Sequence, residues 1–187
     1  MSRFVLTTFI AIILAACSTA NKEQPVVYFD LKSILESQTL ELLKSNPKVR
    51  KEVDLDGAIE ELEEQYDSLG WAREFEIFLD HDINKSAFVG GFTEIKEDAL
   101  ITYVRKDPDS DGVKEFKITY EKGSSTLKTI VIIASTTNSL YQSSTNLKLD
   151  FIQYSGNPRL STYEVRGSQS ILSGGETNYS LKAQIIY

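Results

Sequence analysis

Residues 179–187 read YSLKAQIIY, and this stretch decides the fold class. Apolar and aromatic side chains alternate with polar ones along it. The first set is Tyr179, Leu181, Ala183, Ile185 and Tyr187, and the second is Ser180, Lys182 and Gln184. Successive side chains of a β-strand point to opposite faces of the sheet. The stretch therefore predicts a strand with one face on a core and the other in solvent.

Similar strand-like runs occur earlier in the chain, at residues 100–105, 116–120, 127–134 and 147–151. Clusters of Gly, Pro, Asp, Asn and Ser separate the runs, at residues 107–112, 121–124, 155–158 and 173–176. Turns this short join antiparallel strands, because a parallel pair needs a long crossover. We expect a meander of about six to eight antiparallel strands.

Two amphipathic helices are predicted before this region. The first begins after Asp30, a good helix cap, and ends at Asn46-Pro47, because the residue before a proline is disfavoured in a helix. The second is predicted from an apolar stripe that comprises Trp71, Phe75, Phe78, Leu79 and Ile83. The expected fold class is α+β, with N-terminal amphipathic helices packed on a curved antiparallel sheet.

Residues 48–69 fit two predictions. Val49, Val53 and Leu55 alternate like a strand, and beyond them Ile59, Leu62, Tyr66 and Leu69 recur at helical spacing. We interpret the segment as a strand leading into an acidic helix. The alternative is a β-hairpin, for which Asp56-Gly57 is a good turn.

Cys17 is the only cysteine among the 187 residues. Before it, Arg3 precedes an apolar run from Phe4 to Leu14, which is shorter than the roughly 20 residues that span a bilayer. A basic start, a short apolar run and small residues predict a cleaved export signal at residues 1–16. A lone cysteine in an exported protein then needs an explanation.

Residues 14–17, LAAC, resemble the lipobox of bacterial lipoproteins, in which the cysteine sulfur receives a diacylglyceryl group. With LDHDINK at residues 79–85 and the closing strands, the chain resembles the small lipoproteins that are frequent in Bacteroidetes. The resemblance implies a lipidated Cys17, a membrane anchor and a place in the cell envelope. Because Ser18 replaces the aspartate that retains some lipoproteins at the inner membrane, the outer membrane is favoured. The resemblance implies no activity.

Residues 17–27, which are small and polar as far as Pro25, are expected to link the lipid to a single domain at residues 28–187, which is long enough for one core. Charge is uneven along the chain. Residues 17–112 hold 11 Lys and Arg against 22 Asp and Glu, whereas residues 113–187 hold 8 against 5. Eight carboxylates and no basic residue fall between Glu52 and Asp67. Because such a surface repels phosphates, nucleic acid is not an expected partner.

Asp107, Asp109, Asp111 and Gly112 match the first half of a calcium loop. An EF-hand loop ends in a bidentate glutamate at its twelfth position, which is Ile118 here. Asp and Gly are also ordinary turn residues, and we favour a plain turn. Calcium binding stays open from the sequence.

No other pattern indicates chemistry. His81 is the only histidine, so a site with two histidines is excluded, and we interpret it as a surface residue near a helix C-terminus. The carboxylates Glu60, Glu61, Glu63 and Glu64 lack the burial that separates an acid from a base. Gly90-Gly91 and Gly174-Gly175 lack the pattern of a phosphate-binding loop. We expect no catalytic residue, no metal site and no cofactor.

The leading hypothesis is a non-catalytic envelope lipoprotein that binds an apolar ligand, a lipid or a partner protein through its curved sheet. The alternative is an accessory subunit of an outer-membrane complex that docks through its acidic side, and a hydrolase using His81 ranks last. A carrier should have an apolar cavity that Trp71, Phe75 and Phe78 leave open. An accessory subunit should have a filled core and an exposed apolar or acidic patch.

Overall fold

The computed structural model describes residues 26–171 and 174–187. Helix α1 spans Leu31–Ser45 and helix α2 spans Ser68–Asp80. Each has an aspartate N-cap: the Asp30 carboxylate accepts from the Ser33 N–H, and the Asp67 carboxylate accepts from the Gly70 N–H. Asn46, with a left-handed backbone, ends α1 just before Pro47. The predicted start and end of the first helix are confirmed.

In the part of the chain that the structure describes, nine strands form one antiparallel sheet: β1 Lys48–Leu55, β2 Ala58–Glu64, β3 Phe92–Lys96, β4 Leu100–Arg105, β5 Gly112–Tyr120, β6 Leu127–Thr137, β7 Tyr141–Tyr154, β8 Asn157–Ile171 and β9 Glu176–Ile186. Their order is β2-β1-β9-β8-β7-β6-β5-β4-β3, so the sheet is open, with β2 and β3 at its edges. The closing stretch is the predicted strand, and it lies between β1 and β8. The α+β class and the antiparallel pairing are confirmed.

Three parts of the prediction were wrong. Among the described residues the sheet has nine strands rather than about six to eight. The segment after the first strand is a β-hairpin, not an acidic helix, because β2 pairs with β1 along its whole length across the turn at Asp56-Gly57. The helices also do not both precede the sheet, since this hairpin lies between α1 and α2. The hairpin alternative is confirmed.

One face of the sheet carries the apolar rows predicted from alternation. A single row of cross-strand neighbours runs through six strands, and all its members are buried: Lys51, Ala183, Tyr163, Leu149, Ile130 and Ile118. The buried side chains of both helices belong to the same core cluster: Leu31, Leu35, Leu42, Trp71, Phe75 and Phe78. Burial of these six side chains, at roughly 1.5–3 kcal/mol each, is the main force that holds the helices on the sheet.

Gln38 of α1 fixes the position of that helix. Its side-chain nitrogen donates to the Pro158 carbonyl at 2.9 Å, and its side-chain oxygen accepts from the Leu160 N–H at 2.7 Å. Strand β9 pairs with β8 only from Thr162 onward. The buried Gln38 amide therefore takes the place of a neighbouring strand for two backbone groups that would otherwise lack partners.

The predicted export signal and Cys17 lie outside the described residues, as does most of the predicted linker. At the start of the described chain, the Val27 and Tyr28 N–H groups both donate to the Asn84 side-chain oxygen, at 2.9 and 2.8 Å. Within residues 26–171 and 174–187, neither helix has the length and apolar character needed to cross a bilayer.

Candidate functional site

Lys51 is the one charged member of the buried row of six. Its neighbours on the same face of β1 are Val49 and Val53, and its side chain is only 8 % exposed. A cation at this depth is costly unless a carboxylate neutralises it. The residues around Lys51 therefore define a candidate site between the sheet and α2.

Glu74 of α2 supplies the neutralising carboxylate. One of its oxygens lies 2.6 Å from the Lys51 Nζ, and the other accepts a hydrogen bond from the Tyr163 hydroxyl at 2.5 Å. The Glu74 side chain is 17 % exposed. Each carboxylate oxygen is thus engaged, and the three residues connect α2, β1 and β8.

A second carboxylate and an aromatic ring complete this cluster. Glu64 of the edge strand lies 3.5 Å from the Lys51 Nζ and accepts a hydrogen bond from the Tyr66 hydroxyl. The Lys51 ammonium also lies 4.8 Å from the centre of the Tyr66 ring, within the range of a cation–π contact. Tyr66 in turn packs edge-on against Trp71. The cluster therefore reaches from the sheet edge to the core.

Burial raises the pKa of the Tyr163 hydroxyl well above its usual value of 10.0, and the charge of Glu74 raises it further. A neutral phenol is therefore favoured in the fold. The pKa of Tyr163 is higher in the folded protein than in the unfolded protein. The contribution of the neutral phenol to stability is therefore complete below about pH 10 and is lost as the pH rises above it.

We expect the free energy of unfolding to fall above about pH 10, by up to about 1.4 kcal/mol per pH unit for Tyr163 alone. Tyr163→Phe, which has no titrating group, should show a shallower slope. Urea unfolding at about pH 8, 10 and 11 measures both slopes. Equal slopes in the two proteins would contradict the assignment.

An apolar groove of about 370 Å³ opens beside this cluster, between α2 and the sheet. Three half-buried side chains of neighbouring strands lie side by side along it: Val53, Leu181 and Val165. Ile77 lines it from α2, and Tyr163 and Glu74 lie at its end nearest the ion pair. Its volume falls within the range of small-ligand sites.

Tyr179 closes the far side of the groove. Its ring lies over Gly167 of the adjacent strand, where an added Cβ would stand within 2.4 Å of the Tyr179 hydroxyl oxygen. That hydroxyl lies 3.3 Å from the Thr145 hydroxyl on β7. Gly167 therefore permits the ring to lie flat against the sheet, and the groove is bounded by fixed side chains.

This arrangement suits binding better than catalysis. Both Glu74 oxygens already hold partners, and the Lys51 ammonium contacts two carboxylates. An ammonium held between two carboxylates is engaged in ion pairs rather than directed at a substrate. Apart from Arg73, an exposed residue of α2, and Ser180, the surface that remains free in the groove is that of the apolar side chains. What the site offers a ligand is therefore apolar contact area.

Asp107, Asp109 and Asp111 lie in the turn between β4 and β5. The Asp107 carboxylate accepts from the Asp109 N–H at 3.1 Å, whereas the Asp111 carboxylate accepts from the Thr137 N–H at 2.8 Å. They serve different backbone groups, as in an ordinary turn. In the described part of the chain, no three His, Cys, Asp or Glu side chains converge as metal ligands.

His81 directly follows α2, at the helix C-terminus as predicted, and is half-buried. Its Nδ1 lies 2.7 Å from the Ile77 carbonyl oxygen one turn earlier. The structure does not bring it to the Lys51 cluster.

The four glutamates Glu60, Glu61, Glu63 and Glu64 lie on the edge strand β2. Glu63 lies 2.6 Å from the Lys48 Nζ, and that hydrogen bond and charge hold the pKa of Glu63 below its usual value. Glu64 belongs to the Lys51 cluster. Glu60 and Glu61 point to opposite faces of the sheet, because they are consecutive in a strand.

Sequence reasoning missed Lys51, Glu74, Tyr163 and the groove. One signal was present: Lys51 occupies an inward position between Val49 and Val53, where a charge needs a buried partner. Cys17, the predicted lipidation site, lies outside the described residues.

Comparisons with protein-family models, with curated proteins and with solved structures found no match to this chain.

Proposed function

We propose that this chain is a non-catalytic envelope lipoprotein that binds an apolar ligand or lipid segment in the groove beside α2. The observation that carries the proposal is the row formed by Val53, Leu181 and Val165, which stays half-buried while the next row towards the core, Lys51, Ala183 and Tyr163, is buried. Leaving apolar side chains in a concave surface is unfavourable in water, and a ligand that covers them recovers about 25 cal/mol for each Å² of apolar area.

The site is an open groove rather than an interior cavity. Trp71, Phe75 and Phe78 are almost fully buried, and Phe75 and Phe78 both contact the ring of Tyr163. These aromatic side chains occupy the space where an interior ligand would lie. We infer that the sheet curves around the helices, as the twist of nine strands favours, and that its ligand lies beside α2 instead.

The groove can be tested with Val165→Glu, which places a carboxylate among its apolar side chains. We expect titration of the wild-type protein with the neutral dye Nile red to show one saturable site, and Val165→Glu to bind at least about tenfold more weakly, because a carboxylate resists transfer from water. Ile95→Glu, at an exposed apolar position on the edge strand β3, is the matched control and should bind as the wild type does.

Equal binding by all three proteins would refute the groove as the ligand site. Native mass spectrometry of the protein, purified from an envelope extract without detergent, then identifies a natural ligand. A retained mass that organic solvent removes from the wild type, and that Val165→Glu lacks, supports the proposal. A bare protein mass in the wild type supports the second candidate below.

The envelope location is proposed from the lipobox alone. We expect cells fed an alkyne analogue of palmitate to label the wild-type protein and not Cys17→Ser, because only the thiolate of Cys17 accepts the lipid in that resemblance. The wild type should fractionate with the outer membrane and the variant should leave it. Equal labelling of both proteins would refute lipidation at Cys17.

An accessory subunit of an outer-membrane complex is the second candidate, and the edge strand β2 favours it. The seven residues of β2 are mostly exposed, and one side of the strand pairs with β1 while no described strand pairs with the other. Among the described residues, Glu60 and Glu61 make no ion pair. Crosslinking of the lipidated protein in cells should then give an adduct through β2, which Glu60→Lys/Glu61→Lys removes.

A further inference from the structure

A pocket of about 580 Å³ lies between α1 and the turn that joins β7 to β8, and it shares no residue with the groove. Besides Gln38, whose amide is already hydrogen-bonded to β8, the polar side chains that line it come from both sides: Ser37, Glu41, Lys44, Ser155, Asn157 and Arg159. Leu40 and Tyr154, both largely exposed, add apolar surface at its border. The pocket therefore combines cations, neutral donors and apolar surface.

Arg159 is the group in this pocket that is both largely buried and incompletely hydrogen-bonded. Its side chain is 11 % exposed, and its Nε is buried with no acceptor in the described part of the chain. The closest carboxylate oxygen, on Glu41, lies 3.5 Å from its Nη2. The guanidinium carbon lies 3.3 Å and 4.4 Å from the ring centres of Tyr187 and Tyr154. Two rings hold the cation in place, and within the described residues several of its five N–H donors have no hydrogen-bond acceptor.

We propose that this pocket binds an oxyanion, a carboxylate or phosphate group, with Arg159 as its principal ligand. A guanidinium presents a planar pair of N–H donors that matches such a group. Lys44 supplies a second cation, so Arg159 and Lys44 together exceed the charge of Glu41 by one. A singly charged anion balances the pocket, and the apolar border favours an organic anion over a bare inorganic one.

Glu41 competes with the proposed ligand for the guanidinium, and this gives the test its direction. Replacing Glu41 with glutamine keeps the shape of the side chain and removes the competing charge, so anion affinity should rise about tenfold. Arg159→Lys keeps the charge and loses the planar donor pair and the contacts with both rings, so affinity should fall more than tenfold. Lys122→Ala, at an exposed lysine in the turn between β5 and β6, should leave the affinity unchanged.

The experiment uses the full chain with Cys17→Ser, so that no lipid anchor contributes. Isothermal titration with benzoate and with inorganic phosphate measures binding of a free anion. Flotation with vesicles of phosphatidylglycerol, against vesicles of phosphatidylcholine, measures binding of a lipid headgroup. Thermal unfolding of each variant reports whether it is folded.

The proposal is supported if binding is saturable and Glu41→Gln strengthens it. The experiment in which binding occurs, titration with a free anion or flotation with vesicles, identifies the source of the anion. Binding to phosphatidylglycerol alone, strengthened in the same way, assigns a headgroup. If Arg159→Lys does not fold, Glu41→Gln still decides the question. No saturable binding in either arm, or equal affinity of Glu41→Gln and the wild type, overturns the proposal and leaves Arg159 as a cation that packs Tyr187 onto the sheet.

Discussion

Replacing Glu74 with leucine is expected to lower the free energy of unfolding by about 3–5 kcal/mol. The change leaves the Lys51 ammonium buried with only the half-exposed Glu64 nearby, at 3.5 Å, and it leaves the Tyr163 hydroxyl without its acceptor. Domains of this size are stable by about 5–15 kcal/mol, so a large part of the total is at stake. Urea unfolding followed by circular dichroism measures the loss.

The double variant Lys51→Met/Glu74→Leu separates a lost ion pair from a damaged core. Removing both charges removes the cost of an unpaired buried cation, so we expect the double variant to be more stable than Glu74→Leu alone. The matched control is Glu36→Gln in the exposed pair with Lys32, where the atoms are 3.8 Å apart, and it should change stability by less than about 1 kcal/mol. A Glu74→Leu loss as small as that of the control would show that Lys51 reaches water in solution.

The parts of the fold that were predictable are those with a local cause. Asp30 and Asn46-Pro47 set the ends of α1 through groups within a few residues, and the alternation at residues 179–187 needs only the two faces of a strand. The burial of Ala183 and Ile185 beside the exposed Lys182 follows directly from it. In these elements, local preference and tertiary structure agree.

Strand β2 shows where local pattern and tertiary pairing conflict. Its four glutamates and the spacing of Ile59 and Leu62 favour a helix. Pairing with β1 outweighs that preference, because Lys48, Arg50 and Lys51 of β1 lie near Glu63 and Glu64. The sequence contains both the turn and the cations, but the helical spacing beyond the turn favoured a helix and left the hairpin as the alternative.

The candidate site was beyond the reach of local patterns. Lys51, Glu74 and Tyr163 come together through the pairing of β1 with β9 and of β9 with β8, and that strand order departs from the simple meander. A charge at an inward strand position showed that a partner was required. It did not show that the partner would come from α2.

Trp71→Ala is expected to cost about 3–5 kcal/mol of stability, because it empties the space between α2 and the sheet. Trp71 is fully buried, stacks on Phe75 with ring centres 5.6 Å apart, and meets Tyr66 edge-on at 5.2 Å. The change also frees the Tyr66 ring, which lies beneath the Lys51 ammonium. Since Trp71 is the only tryptophan, unfolding in urea should be followed by circular dichroism rather than by fluorescence.

Comparing Trp71→Phe with Trp71→Ala separates the contribution of side-chain volume to stability from that of the indole N–H group. The indole Nε1 is buried and has no hydrogen-bond acceptor among residues 26–171 and 174–187, so its loss breaks no hydrogen bond. We expect Trp71→Phe to cost less than half as much as Trp71→Ala, and Leu69→Ala, at an exposed position of the same helix, to change stability by less than about 0.5 kcal/mol. A loss for Trp71→Phe equal to that for Trp71→Ala would instead mean that the indole nitrogen binds an ordered water, which would make the core around α2 partly polar.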